Sequence, residues 1–244
     1  MRTGEVAILY LGAGSSRRMG FPKLSVELEK LEGGEDGSKL GGCGLRSALL
    51  SHCRPVIVVT KPGPAPDWLP VGWTEDAWDG LVLVTADDAE QGMAYSIRAG
   101  IAEAMRYKPK AVLVLLADQP LVTTEMIERL VARWHMEPEI DYAAYCKGEA
   151  PTPPILLSAA MFPSLLALSG DHGARKLLKE PRVKGALLQA EQDIRLTDID
   201  TVEDLVLFMR ERRHLSARKE RGSDEPIGGA DEPCRETVRG CRCE

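Results

Sequence analysis

Residues 7–24 read AILYLGAGSSRRMGFPKL. An apolar run ends in a turn of small residues, and two arginines and a lysine follow. Gly12 and Gly14 permit a tight turn where a first strand ends, and they let backbone N–H groups approach a ligand. Such N–H groups form an anion-binding concavity. Arg18 adds a planar fork of donors and Lys23 a point charge; together they suit a nucleoside triphosphate. Two familiar glycine patterns fail here. A dinucleotide fingerprint needs a glycine where Arg17 stands, and a P-loop needs Gly-Lys-Ser/Thr where Gly20 precedes Phe21-Pro22-Lys23. A nucleotide-dependent oxidoreductase is disfavoured accordingly.

Working outward, short aliphatic runs recur at EVAILYL (5–11), PVIVVT (55–60), LVLVTA (81–86) and AVLVLLAD (111–118). Each is apolar on both faces, as strands covered on two sides must be. Helical periodicity separates or follows them: Ile97, Ile101 and Met105 share one face of 92–106, and Met126, Ile127, Leu130 and Val131 share one of 124–136. This alternation predicts an α/β fold: a three-layer, Rossmann-like, mostly parallel sheet with helices on both faces. Residues 30–44 read as a flexible glycine-rich loop before a helix at 45–52, and 61–80 as an irregular connection. PTPPILLS (151–158) suits an edge strand or loop. Helices are expected at 159–168, 172–180 and 201–213, the last capped by Asp200 or Thr201. Residues 1–214 form the expected domain, and the polar segment 215–244 is expected to be a disordered tail.

The chain has 244 residues, 44% of them hydrophobic, and a net charge of −6. That charge argues against nucleic acid as the main partner, because phosphate-backbone binders usually carry a basic excess. The first apolar run is too short for a signal peptide and no stretch could span a bilayer, so a cytoplasmic protein without a membrane partner is expected. Cys43, Cys53, Cys146, Cys234, Cys241 and Cys243 lack a C-x-x-C pair and read as reduced thiols.

Asp118 closes the most apolar run of the chain, and Pro120 restricts the intervening Gln119. Open α/β sheets bind ligands at the carboxyl ends of their strands, so Asp118 is expected to face the crevice. Magnesium takes one or two carboxylates plus substrate phosphates, which calls for a second acid. Asp198 and Asp200, in LTDIDTVEDL, are the candidates, although Asp200 could instead cap the last helix.

LGAGSSRRMGFPK (11–23) resembles the L-A-A-G-x-S-x-R-M-G-x-x-K signature of the MobA-like NTP transferase family, with Gly12 in place of the commoner Ala. The resemblance spans roughly residues 5–210 and implies the nucleotide-diphospho-sugar transferase type of sheet. It assigns Leu11, Gly12, Ala13, Gly14, Ser15 and Ser16 to the nucleotide, and Arg18, Lys23 and Asp118 to catalysis. LADQP (116–120) resembles the family's metal-binding D-x-P step, and DIDTVEDL (198–205) its D-x-D-T-P-E-D-L segment, which implies Mg2+ on Asp118 and Asp200. EQGMAYSIRAG (90–100) is similar to E-G-M-x-x-S-x-R-x-G, placing Gly92, Met93 and Ser96 in the nucleotide pocket. LSGDHGARKLL (168–178) is similar to the G-D-x-G-A-R segment of the molybdenum cofactor cytidylyltransferase branch, placing Asp171 and Arg175 near the acceptor. Ala13 before Gly14 matches the cytidylyl branch, where guanylyl-transferring members usually show Leu-Ala-Gly-Gly.

The resemblance thus implies transfer of CMP from CTP to the phosphate of molybdopterin, with a molybdenum hydroxylase as a further partner. Alternatives within reach are a guanylyl or sugar/polyol-phosphate nucleotidyltransferase of the same fold, and a non-catalytic cofactor-delivery chaperone. KGEAPTPPILL (147–157) departs from the family's Arg/Gly-His/Asn-Pro motif in the segment that approaches the acceptor.

Overall fold

Strand β1 (Val6–Leu11) is buried at every residue, as its two-sided apolarity requires. In the computed structural model, which describes residues 4–14, 18–28, 39–70, 72, 80–170, 173–210 and 238–239, β1 pairs in parallel with β2 (Val56–Thr60) and with β4 (Ala111–Leu116). Strand β3 (Leu81–Thr85) extends the parallel set beyond β2. On the other side, β6 (Ala150–Ser158) runs antiparallel between β4 and β5 (Tyr142–Lys147), and β5 pairs in parallel with β7 (Gly185–Gln189). The order is β3-β2-β1-β4-β6-β5-β7-β8. Strand β8 is Val238–Arg239, antiparallel to β7; apart from these two residues the tail beyond 210 lies outside the described residues, and Cys234, Cys241 and Cys243 with it.

Alternate side chains divide the core into two layers. Ile8 and Tyr10 pack with α1 (Leu40–Leu50) and α3 (Thr124–Met136); Ala7, Leu9 and Leu11 pack with α2 (Met93–Ala104) and α4 (Phe162–Leu166). Full burial of each large aliphatic side chain contributes about 1.5–3 kcal/mol. The fold class and mostly parallel sheet agree with the sequence reading. Cys43, Cys53 and Cys146 are buried and take part in no disulfide among the described residues, and no helix among the described residues is long and apolar enough to cross a membrane.

Several local expectations need correction. Helix α1 begins at Leu40, not 45, so Gly41, Gly42 and Gly44 are helical. Close packing explains them: a Cβ at Gly41 would lie 2.7 Å from the Trp68 ring, and one at Gly44 3.1 Å from the Tyr10 hydroxyl. Residues 29–38 of the expected loop lie outside the described residues. The segment 151–158 is interior, not an edge. Its prolines are tolerated because pairing with β4 covers only Ile155–Ser158, and the β5 ladder shifts register between Ala144 and Tyr145, opposite the prolines. The expected helix at 159–168 is a turn at Ala159–Met161 leading into α4, and 173–179 is a 3-10 helix. Strands β5 and β7 carry no strong aliphatic run and were not foreseen.

Candidate functional site

Strand order reverses at β1: β2 and β3 lie on one side of it, β4 on the other. The carboxyl ends of β1 and β4 therefore flank a topological switch point, the usual crevice of an open α/β sheet. The glycine turn leaves from β1 and Asp118 follows β4. Ala117 N–H donates to Leu11 O at 3.1 Å and Ile199 N–H to Asp118 O at 3.0 Å. These two bonds tie the first turn, the Asp118 turn and residues 198–200 into one frame.

Within that frame Lys23 is the centre. Its Nζ donates to Asp118 Oδ2 at 2.7 Å, Asp200 Oδ1 at 2.9 Å and Ile199 O at 3.0 Å, and its side chain is 7% exposed. Arg18 Nη2 donates to Asp200 Oδ2 at 2.9 Å from an exposed position. Burial alone would favour a neutral Lys23, but the Asp118 and Asp200 carboxylates prevail and raise its pKa. Burial likewise opposes ionisation of Asp200, yet Lys23 and Arg18 hold its carboxyl below the usual range.

Asp200 is not the cap of the last helix, α5 (202–210). Thr201 Oγ1 accepts from Asp204 N–H at 3.1 Å, while Asp204 Oδ2 accepts from Thr201 N–H at 2.8 Å and Asp200 N–H at 3.1 Å. This reciprocal box leaves the Asp200 side chain to face Lys23. Asp198 turns elsewhere, accepting from Gln119 Nε2 at 2.8 Å. Burial, with the Asp118 charge nearby, pushes its pKa up.

Gly12 N–H donates to Val59 O at 2.8 Å, so this N–H is not among the donors open to a ligand, though the residue itself lines a cavity beside the turn. Its lack of a side chain serves Trp68, whose ring would lie 2.8 Å from an added Cβ. Gly14 is exposed, with nothing within 4 Å of where a Cβ would stand. Leu11 and Ala13 are buried; Ser15, Ser16 and Asp171 lie outside the described residues. Gly92, at φ +130°, precedes α2, in which Ser96 is buried and Met93 is 40% exposed.

Two cavities flank the Lys23 cluster. One of about 700 Å³ is walled by Gly12, Gly14, Gly20–Pro22 and the proline-rich stretch 60–68. That stretch is fastened by Asp67, which accepts from Ser25 Oγ at 2.7 Å and from Lys39 Nζ at 2.6 Å. The other, of about 400 Å³, is lined by Met93, Val114, Ile155, Arg175, Lys176 and Asp198, among others. Met93 thus shares a wall with Arg175.

Sequence reasoning overlooked two supports. Gln119 is fully buried, and its Nε2 also reaches Pro153 O at 3.2 Å and Leu196 O at 3.4 Å. A polar residue between a strand-end acid and a proline was its only local signal. Trp68, a single aromatic amid prolines, was the signal for the wall over the glycine turn.

Asp118 Oδ1 is buried and has no hydrogen-bond partner. An unpartnered carboxylate oxygen costs free energy, and beside a second carboxylate it offers the hard oxygen donors that a magnesium ion prefers. The residues present fit such an ion.

Comparison with known proteins identifies relatives of the whole chain. "Purine catabolism protein PucB" of Bacillus subtilis (strain 168) is 34% identical over 216 residues, covering 86% of this chain and 98% of that protein. "Nicotine blue oxidoreductase" of Paenarthrobacter nicotinovorans is 30% identical over 129 residues, half of this chain and 62% of that one. The crystal structure of a Mycobacterium tuberculosis rv0371c homolog from Mycobacterium sp. strain JC1 superposes with a TM-score of 0.71 at 25% identity, covering 88% of this chain and all of that one. The profile of the MobA-like NTP transferase domain matches residues 8–187, which include the glycine turn, Lys23 and Asp118; the chain is a nucleotidyltransferase of the MobA-like family.

Proposed function

We propose that this nucleotidyltransferase transfers CMP from CTP to the phosphate of molybdopterin, releasing pyrophosphate. The observation that carries the reading is the convergence of Asp118 and Asp200 on Lys23 at the switch point, with Asp118 Oδ1 left unpartnered. The larger cavity, beside Gly14, has a volume suited to a nucleotide. The choice of CTP rests on Ala13 and on the likeness of 168–178 to the cytidylyl branch. The names of the two relatives, a purine catabolism protein and an oxidoreductase, are compatible with a product destined for a molybdenum hydroxylase.

In this mechanism an acceptor phosphate oxygen forms a bond to the α-phosphorus while the α–β bridging bond breaks, and its electron pair leaves on pyrophosphate. A phosphate monoester is already anionic near neutral pH, so no general base is needed. Positioning and charge neutralisation carry the catalysis. Asp118 and Asp200 would hold magnesium, which when bound supplies positive charge to the reacting phosphate oxygens. Lys23 keeps the two carboxylates facing one another, and Arg18, at the exposed rim, would exchange its ion pair with Asp200 for one with the triphosphate.

Incubating the purified chain with molybdopterin, molybdate, magnesium and each NTP in turn, with products identified by mass, tests the reading. A cytosine dinucleotide formed only from CTP is the expected result. A guanine dinucleotide with CTP inert would overturn the nucleotide choice, and absence of any molybdopterin dinucleotide would overturn the acceptor.

A further inference from the structure

Residues 197–200 carry Asp200 into the site without belonging to any strand or helix. The turn around Asp118 supplies the hydrogen bonds that regular structure does not. Asp118 O accepts from Ile199 N–H at 3.0 Å. The Gln119 carboxamide reaches to either side of that point, its Nε2 donating to Asp198 Oδ1 at 2.8 Å and to Leu196 O at 3.4 Å. Its third acceptor is Pro153 O at 3.2 Å, just past the place where the ladder between β4 and β6 stops at Val114 and Ile155. One fully buried side chain thus joins the turn after β4, the proline stretch of β6 and the loop that bears Asp200.

The surroundings fix the orientation of this amide. All three partners are acceptors, so only the Nε2 end can face them; reversal would set Oε1 against two carbonyls and a carboxylate. Oε1 is buried and has no hydrogen-bond partner among the described residues, which costs free energy. The donors at Nε2 offset that cost, most of all the one on a carboxylate, since bonds to a charged acceptor are the stronger kind. Asn would fall short by one methylene, and an ionised Glu has nothing to donate. Lys23 also draws Asp200 toward Asp118, but a point charge accepts carboxylates from many directions and sets no register for the loop behind them.

We propose, resting on the nucleotidyltransferase reading above, that Gln119 is a positioning residue that holds the loop 197–200 where Asp200 meets Asp118. It acts through Leu196 and Asp198 and so presets the two carboxylates for a divalent cation.

Gln119→Met keeps the reach of the side chain and removes its donors. Manganese affinity, read by electron paramagnetic resonance without nucleotide or turnover, should weaken roughly tenfold or more, the scale on which hydrogen-bond partners of metal ligands act. Hydrogen exchange at the Ile199 amide should quicken in the same variant. Ser51→Ala is the control: it removes two buried hydrogen bonds, to Ala48 O at 2.7 Å and from Cys53 N–H at 3.3 Å, near the amino end of β2. It should lower stability without moving either reading, which separates positioning from a general loss of packing. Undiminished manganese affinity in Q119M, or a loss no larger than that in S51A, would overturn the proposal. Should Q119M not fold, Q119N, whose amide is drawn back from the loop, carries the same comparison to the same two outcomes. An unsubstituted chain that binds no manganese would overturn the assignment of the cation to Asp118 and Asp200, and this proposal with it. A chain that passes the manganese comparison yet forms no molybdopterin dinucleotide would refute the acceptor while leaving the role of Gln119 standing.

Discussion

Lys23 Nζ and Asp118 Oδ2 stand 2.7 Å apart, with Asp200 Oδ1 at 2.9 Å from the same nitrogen. One ammonium therefore holds together two carboxylates from loops that are far apart in sequence. Removing it in Lys23→Met leaves the acids facing each other with burial unrelieved. Since Asp200 is one-third exposed, the loss should be about 2–3 kcal/mol, below the full cost of breaking a buried pair. Urea unfolding of both proteins measures it.

The pH dependence of that difference follows from the shifts. Asp200 is held below its ordinary 3.8, so its contribution is present above that value and is lost as pH falls through the lower folded-state value. Lys23 is raised above 10.5, so its contribution is present below that value and lost as pH rises through the higher one. The stability gap between unsubstituted chain and Lys23→Met should be flat between about pH 5 and 9 and shrink toward acid. A gap that widens in acid would refute the pairing.

Asp118→Asn keeps the shape of the side chain but removes its charge. Pyrophosphate release should fall by about 10²–10³-fold, the scale of losing one preorganised electrostatic group, with an unchanged far-ultraviolet circular dichroism spectrum. Turnover near the original rate would remove Asp118 from catalysis.

Asp198 behaves oppositely to Asp200. Its folded pKa is raised, so stability declines as pH rises from 3.8 through the higher folded value. Asp198→Asn retains an oxygen to accept from Gln119 and has nothing to ionise. The variant should be the more stable protein at pH 8 and lose that advantage near pH 3; denaturation midpoints at the two pH values provide the check.

Gly12→Ala should destabilise by about 1–3 kcal/mol, as overpacking does, because its Cβ meets the Trp68 ring. Trp68→Leu should relieve the strain, so the double variant should be more stable than the sum of the two losses. Strict additivity would mean that the ring is not what excludes the methyl group.

How far the sequence revealed these relations varied with the physics. Parallel strands buried on both faces announce themselves as aliphatic runs, so β1 to β4 were legible. Asp118 was legible as a strand-end acid because open α/β sheets gather ligand-facing groups at the carboxyl ends of their strands. Strands β5 and β7 depend on tertiary burial of YAAYCK and GALLQ, which have no period that separates them from helix or loop. The glycines of 41–44 read as flexibility because their purpose, contact with Trp68 and Tyr10, involves residues distant in sequence. Gln119 escaped notice for the same reason: its partners lie on segments around 153 and 196–198.

The ladder between β4 and β6 stops at Val114 and Ile155, while β4 itself continues to Leu116 against β1. Beyond that stopping point Pro153 and Leu116 border the smaller cavity. The prolines thus act like the end of a zipper: the sheet parts there, and the rim of the smaller cavity is made of the stitches it forgoes.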